Sequence, residues 1–555
     1  MKCLLTTLLI CLISSAYSQD TLSRTDLPAY ERVAGLNFKS NELDSLYPDV
    51  RNNVDEYKKM RRYKLDNSVP LSMWQTPILP GMKFNKVQQQ INWKLPPLLC
   101  KNCAPYTRIV VLPDDIAYKS ILELAAGIKS KTITSKQLTR FFIDRLKKYG
   151  DTLQCVITIT EDIAMQQAEQ ADREIAAGIY RGPLHGIPYG LKDLFAVKGT
   201  KTTWGAAPFK DQRIDEDAYV YKRLKDAGAV LIAKFSLGAL AMGDYWYGGR
   251  TKNPWNLDQG SSGSSAGSTA ATVAGLVPFA IGTETLGSIV SPSTRCGATG
   301  LRPSFGSVAR TGGMVLSFSL DKIGPICRSA EDAAVVFSCI HGTDGIDQAS
   351  QDMAFNYKNK IDLSKMRIAY AKQYFEKGDT LGNEWKVLDV YRRLGAKLEA
   401  VDFPDSTVYN FDIVGIIIGA ECAAQFDDFT LSGEADLLTR QTKGDWPNQF
   451  RGARFIPAVE YINAYRHRYL LMQKVNEVMK KYDAFICPNF AGNQLQITNL
   501  TGNPVVCFPT GFNKRGTPTS ITLVGKLYDE ATILEIAKAF QDATEWNKVH
   551  PPLFR

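Results

Sequence analysis

Apolar positions along this chain recur with two different periods, and the alternation between them predicts its architecture. From Tyr118 to Tyr149 the spacing is helical in two runs, ILELAAGI and LTRFFIDRLKKY, with Thr134 and Ser135 placed to cap the second. Leu153 to Thr160 alternates as a strand does, and Asp162 to Ile179 is helical again. A helix over Tyr219 to Ala227 leads into a strand over Ala229 to Ala233. Further on, Phe411 to Phe426 reads as an amphipathic-to-apolar helix and Ala484 to Cys487 as a strand stopped at Pro488. Alternation of this kind predicts an α/β fold with helices on both faces of a sheet.

One stretch stands apart, Gly260 to Ser288. A run of serines and small residues passes into an alanine-rich helix over Ala266 to Ala274. An apolar strand over Leu276 to Ile281 follows, then a glycine-bearing turn that ends at Ser288. An isolated SSGSSAGS would read as a flexible linker; the apolar continuation argues against that. Serines on Gly-rich turns at the two ends of one helix–strand unit can be brought together. Glycine also permits the close backbone approaches that an oxyanion-binding turn requires.

A hydrolytic serine needs a group to remove its proton. The chain has four histidines, His185, His341, His467 and His550. Gly263 to Gly267 matches G-x-S-x-G with Ser265 at its centre, the pattern of an α/β-hydrolase nucleophile elbow. That elbow needs a strand directly before it, whereas Arg250 to Gln259 is polar and turn-like, and no Asp-then-His pair follows. The other candidate base is Lys192, in GPLHGIPYGLKDLFAV (Gly182 to Val197). From spacing alone, a lone lysine there reads as a solvated surface charge.

Taken in order, GIPYGLKD, SGSSAGS (Ser262 to Ser268), GTETLGSI (Gly282 to Ile289) and RCGATGLRPSFG (Arg295 to Gly306) resemble the amidase signature family. The resemblance runs from about Ile116 to Pro552. It implies a single large α/β domain, a mixed sheet flanked by helices on both faces, preceded by an N-terminal extension. It also implies hydrolysis of amide C–N bonds with no metal and no organic cofactor. Carried across, the family's catalytic lysine falls on Lys192, and its bridging serine, which follows a cis peptide bond, on Ser264. The acyl-forming nucleophile falls on Ser288, and the backbone amides of Thr285, Leu286, Gly287 and Ser288 would make the oxyanion hole. The chemistry is coherent, because a lysine acts as a base only when neutral. Working near pH 7 requires its pKa to fall by about 3 units, roughly 4 kcal/mol, which burial can supply.

The remaining segments add context. Met1 to Ser18 has a Lys-bearing start, an apolar core and small residues at its end, the order of a secretory signal peptide cut before Gln19. It is too short and interrupted for a membrane span. Export, periplasmic or secreted, is therefore expected. Residues 19–112 form the extension, expected to pack through Trp74 and Trp93 on a catalytic body over 113–555. The basic run Arg51, Lys58, Lys59, Arg61, Arg62 and Lys64 reads as a solvated helix face rather than a nucleic-acid site. A net charge of +9 on 555 residues decides nothing about tRNA.

Cys100 and Cys103 form one C-x-x-C without the second pair of a zinc ribbon, so a local disulfide or two free thiols are expected. Cys155, Cys296, Cys339, Cys487 and Cys507 lie in apolar runs, as core residues do. Asn499-Leu500-Thr501 is formally a glycosylation sequon, which the resemblance explains as a structural turn. Residues 341–482 match the family least, where its members vary and cover the cleft.

Two departures from the family bear on substrate. Many members, including the A-type chain of the tRNA-dependent amidotransferase, carry Arg two residues after the nucleophile, where this chain has Val290. The Asn-Met-Asp-Glu run of that amidotransferase chain is replaced by Ser236-Leu237-Gly238-Ala239. Loss of the arginine argues against recognition of a free amino acid carboxylate such as glutamine's. Ser-Ile-Val after the glycine resembles the exported peptide-amidase-like branch. The expectation is an exported amidase for a small-molecule or peptide amide, without nucleic acid or integral membrane span, its oligomeric state open to a homodimer. The alternatives are an A-type subunit of a tRNA-dependent glutamine amidotransferase, an esterase using Ser265, and a non-catalytic binding protein.

Overall fold

The apolar runs assemble into one eleven-stranded sheet. In chain order its strands are β1 (Val156–Ile159), β2 (Pro188–Lys192), β3 (Val230–Phe235), β4 (Phe279–Glu284), β5 (Thr299–Arg302) and β6 (Lys322–Cys327). They continue with β7 (Arg367–Ala371), β8 (Lys397–Val401), β9 (Ala484–Pro488), β10 (Val505–Phe512) and β11 (Pro518–Gly525). Across the sheet the order is β1-β3-β2-β4-β6-β5-β10-β11-β9-β7-β8. Parallel pairs, β3 with β2, β2 with β4, β9 with β7 and β7 with β8, flank an antiparallel centre. The sheet is mixed, as the resemblance implies.

Helices cover both faces. Val506 and Phe508 of β10, with Ala484 and Ile486 of β9, share a core with Ile533 and Leu534 of helix Glu530–Thr544. Their neighbours Val505, Cys507, Phe485 and Cys487 face a second core, with Ile497 and Leu500 of helix Gln494–Thr501. Successive strand residues point to opposite sides, so the two cores are the two faces. Strands buried on both faces read as continuous apolar runs, and β3, VLIAKF, is buried throughout. Its one charge, Lys234, lies 2.8 Å from Asp193 and donates to the carbonyl of Lys201. A buried charge persists when it is paired in this way.

The computed structural model describes residues 22–60, 62, 66–69, 76–99, 111–377, 382–404 and 413–555. The expected signal peptide, Trp74 and the Cys100–Cys103 pair lie outside them. The chain divides into two compact units, one ending at Leu65 and one beginning at Asp66. The first contains helices Leu27–Ala34 and Ser40–Met60, with Arg24 paired to Asp44 at 2.6 Å. Within the second, Asn67 Nδ2 donates to the Val315 carbonyl, Gln88 Nε2 donates to the Phe355 carbonyl, and Trp93 stacks on Tyr357.

Several boundaries move for physical reasons. The two expected helices are Ile121–Lys129 and Ser135–Leu153, with Thr134 accepting from the Gln137 N–H as cap. Leu153 closes that helix and Gln154 turns left-handed at φ 49°, so β1 starts only at Val156. The expected strand over Leu276 to Ile281 is β4, which begins at Phe279 and runs on through Gly282, Thr283 and Glu284. The Leu276 N–H instead bonds back to Ala271 at the end of helix Ala266–Val273.

Arg250 to Gln259 is not simply a turn. Lys252–Asn253 pairs with Asn256–Gly260 as a two-stranded ribbon outside the main sheet. Asn499 is likewise no turn residue but lies buried in helix Gln494–Thr501. Of the cysteines expected in the core, Cys155, Cys296, Cys487 and Cys507 are buried and Cys339 is half-buried, all as free thiols. Among the described residues, no helix is long and apolar enough to cross a membrane.

Candidate active site

The site forms where β2 and β4 end side by side. The two strands are parallel, with Gly190 opposite Ala280 and Leu191 opposite Ile281, so Lys192 comes level with the Gly282–Thr283 end of β4. In open α/β sheets, ligand sites gather at such carboxyl ends. Lys192 is wholly buried. Its Nζ lies 2.8 Å from Ser264 Oγ, 2.8 Å from Thr283 Oγ1 and 3.2 Å from Ser265 Oγ. Burial pushes its pKa from 10.5 down to about 7, against the opposing charges of Asp321 and Glu284.

Ser264 precedes the buried helix Ala266–Val273, and the Gly263–Ser264 peptide is cis. Only glycine fits at position 263, because a Cβ there would stand 1.8 Å from the Gly243 carbonyl oxygen. A backbone hydrogen bond of 3.1 Å from the Ser265 N–H to the Ser288 carbonyl joins this turn to the second one. The two turns are therefore adjacent, with the backbone of Ser288 against the residue that follows Ser264.

The second turn, Thr285 to Ser288, links β4 to helix Val290–Cys296. Gly287 takes φ +87°, a conformation that glycine adopts without strain. Among the described residues, no hydrogen bond engages the N–H groups of Leu286, Gly287 or Ser288, while the next two are taken. The N–H groups of Ile289 and Val290 each donate to Glu284 Oε2 at 2.9 Å. Glu284 Oε1 accepts from Arg302 Nη1 and Asn499 Nδ2, also at 2.9 Å. Burial would raise the Glu284 pKa, but Arg302, the Val290 N–H, Asn499 and Lys322 outweigh it and hold the carboxylate at about 2. An ionised carboxylate anchored four ways thus holds the helix side of the turn.

The other candidates lie elsewhere or are otherwise engaged. Ser265 Oγ donates to the Thr283 carbonyl and accepts from the Thr283 N–H, besides lying near Lys192. His185 is buried beside Glu174, with its Nδ1 accepting from Arg181. His550 stacks on Tyr118, His341 packs against Phe337 and Phe355, and His467 is exposed. None of these contacts is with a serine. Val290 is buried with Ile497 and Leu500 in an apolar core. Among the described residues, no three His, Cys, Asp or Glu side chains gather as metal ligands would.

Thr283, Glu284 and Asp321 were not foreseen in these positions. The first two stand inside GTETLGSI, and two polar residues at the end of a buried strand were the available signal. Asp321 accepts from Thr285 Oγ1 at 2.6 Å and carried no local signal.

The chain as a whole resembles known proteins. The family model described as Amidase matches residues 137–534. The A-type chain of glutamyl-tRNA(Gln) amidotransferase from Carboxydothermus hydrogenoformans is 30% identical over 487 residues, covering 79% of this chain and 100% of that protein. Its counterpart from Methylococcus capsulatus is 31% identical over 480 residues, covering 78% and 98%. Among solved structures, native peptide amidase from Stenotrophomonas maltophilia superposes with a TM-score of 0.71 at 28% identity, covering 80% of this chain and 100% of that one. The chain belongs to the amidase family and is a hydrolase of amide C–N bonds.

Proposed function

We propose that the chain cleaves its amide through an acyl-enzyme on Ser288, with Ser264 as proton relay and Lys192 as general base. The observation that carries this reading is a buried lysine with a pKa of about 7 lying 2.8 Å from Ser264 Oγ. Ser288 Oγ attacks the carbonyl carbon and gives its proton to Ser264, whose own proton passes to the neutral Lys192 Nζ. The developing oxyanion is met by the N–H groups of Thr285, Leu286, Gly287 and Ser288. As the tetrahedral species collapses, the proton returns through Ser264 to the leaving nitrogen and the amine departs. Water then attacks the ester through the same relay, and the carboxylic acid and free Ser288 are restored.

A second reading has a specific observation behind it. The curated relatives above are A-type subunits of glutamyl-tRNA(Gln) amidotransferases, matched over nearly their whole length, and they favour that assignment over a free-standing exported amidase. Val290 in place of arginine opposes it, because an apolar side chain offers nothing to a substrate carboxylate. Export rests on the order of residues in Met1 to Ser18 and remains part of this proposal.

A fluorophosphonate probe is expected to label the wild type and Ser265→Ala but not Ser288→Ala; labelling lost only in Ser265→Ala assigns the nucleophile to Ser265 instead. Lys192→Ala lowers amide turnover by about 10²–10⁴-fold. Because the base works unprotonated, wild-type kcat/KM rises with pH through about 7 and levels off above it. Near-wild-type turnover in Lys192→Ala, or a rise only near pH 10, contradicts the mechanism. Finally, mass spectrometry of protein from the native source finds an N-terminus near Gln19 in the exported fraction, and this protein does not hydrolyse free glutamine. An intact Met1 in the cytosol together with glutamine hydrolysis returns the chain to the amidotransferase reading.

A further inference from the structure

We propose that Asp321 is a positioning residue for this hydrolysis, holding the Thr285 side of the oxyanion turn; the proposal rests on the reading of Ser288 and Lys192 given above. The antiparallel register of β4 and β6 sets Lys322 opposite Glu284, so Asp321 comes opposite Thr285 one step beyond the ladder. Thr285 Oγ1 donates to Asp321 Oδ1 at 2.6 Å. The other carboxylate oxygen accepts from the Leu316 and Ser317 N–H groups at 2.8 and 3.0 Å. Both oxygens are therefore engaged, and the carboxylate has one orientation. Glu284 fixes the turn from its helix side, and Asp321 fixes it where the strand ends.

Asp321 is itself held by the least family-like part of the chain. Ser319 donates to Glu421 through its N–H at 3.1 Å and its hydroxyl at 2.9 Å, and Ser317 Oγ also donates to Glu421. Glu421 lies on helix Ile413–Gln425 and accepts from Tyr461 and Tyr465 on helix Ala458–Met479. From that second helix Arg468 donates to Ser319 Oγ at 2.9 Å and to the Ser319 carbonyl at 3.1 Å. Two helices of the variable region thereby grip residues 317–319, and Asp321 passes that grip to the turn.

Burial raises the Asp321 pKa, while Thr285, the Ser317 and Leu316 N–H groups and Arg310 favour its ionised form; in that form its charge also bears on Lys192. Hydroxyls of Ser264, Ser265 and Thr283 surround that amine, and the charges that favour its protonation are Asp321 and Glu284. Arg302 and Lys322 face Glu284, whereas Arg310 faces Asp321 and is itself paired with Asp347. Removing the Asp321 charge makes Lys192 still harder to protonate. Removing the Thr285 hydroxyl leaves every charge in place.

The two effects separate in full-length protein assayed on one amide substrate. Thr285→Val keeps the backbone N–H and is expected to lower kcat by about tenfold with KM unchanged and the pH profile unmoved. Asp321→Asn is expected to lower kcat and to move the acid limb of the profile to lower pH. The double variant is expected to be no slower than the slower single one, because both break the same contact. Thr285→Val with wild-type kcat overturns the proposal, as does a folded Asp321→Asn whose acid limb stays in place. If Asp321→Asn fails to fold, Thr285→Val decides alone. A wild type without amide turnover overturns the reading of the site and this proposal with it, and that is seen before any variant is compared.

Discussion

A lysine buried without a carboxylate partner is the constraint on which this site depends. Two buried lysines stand on adjacent strands, with Lys234 opposite Leu191, the residue before Lys192. Lys234 has Asp193 at 2.8 Å, whereas the closest partners of Lys192 are serine and threonine hydroxyls. A pKa near 7 in place of 10.5 means that protonating Lys192 costs about 5 kcal/mol more than in water. The sheet supplies that environment, because β2 is buried throughout and lies between β3 and β4. The same burial that would destabilise a charged lysine favours the neutral amine, the form that the proposed mechanism uses as its base.

The turns around it are organised by the opposite device, a carboxylate kept ionised. Glu284 is buried as deeply as Lys192, yet Arg302 and three N–H donors from Ile289, Val290 and Asn499 hold it charged. It occupies the amides of Ile289 and Val290, which follow Ser288. Asn499 belongs to this anchor, which explains why a formal glycosylation sequon sits buried inside a helix.

The sequence motifs name Lys192, Ser264 and Ser288 as candidates through the family resemblance, and the structure brings Lys192 to Ser264. The alternating helical and strand periods likewise announced an α/β fold with helices on both faces of a sheet, while its mixed character was implied only by the family resemblance. Chain ends of elements were harder to read. β4 was expected to stop at Ile281, since Thr283 and Glu284 are polar and hydrophobic periodicity gives them no weight, yet their side chains build the site. The ribbon over Lys252–Gly260 escaped notice because its residues are polar on both faces. Asp321, Glu421 and Arg468 were out of reach for another reason. Their contacts with Thr285, Ser317 and Ser319 span 36, 104 and 149 residues, and no local pattern encodes a partner at that separation.

The most direct test of this account is the titration of Lys192 itself. Protein labelled with ¹³C at the lysine ε-carbon, with the Lys192 signal assigned by its loss in Lys192→Arg, reports protonation without reference to any substrate. The account predicts a midpoint near pH 7, well separated from the exposed lysines. A midpoint near 10 would show that the buried amine is charged at neutral pH and would contradict its role as the base.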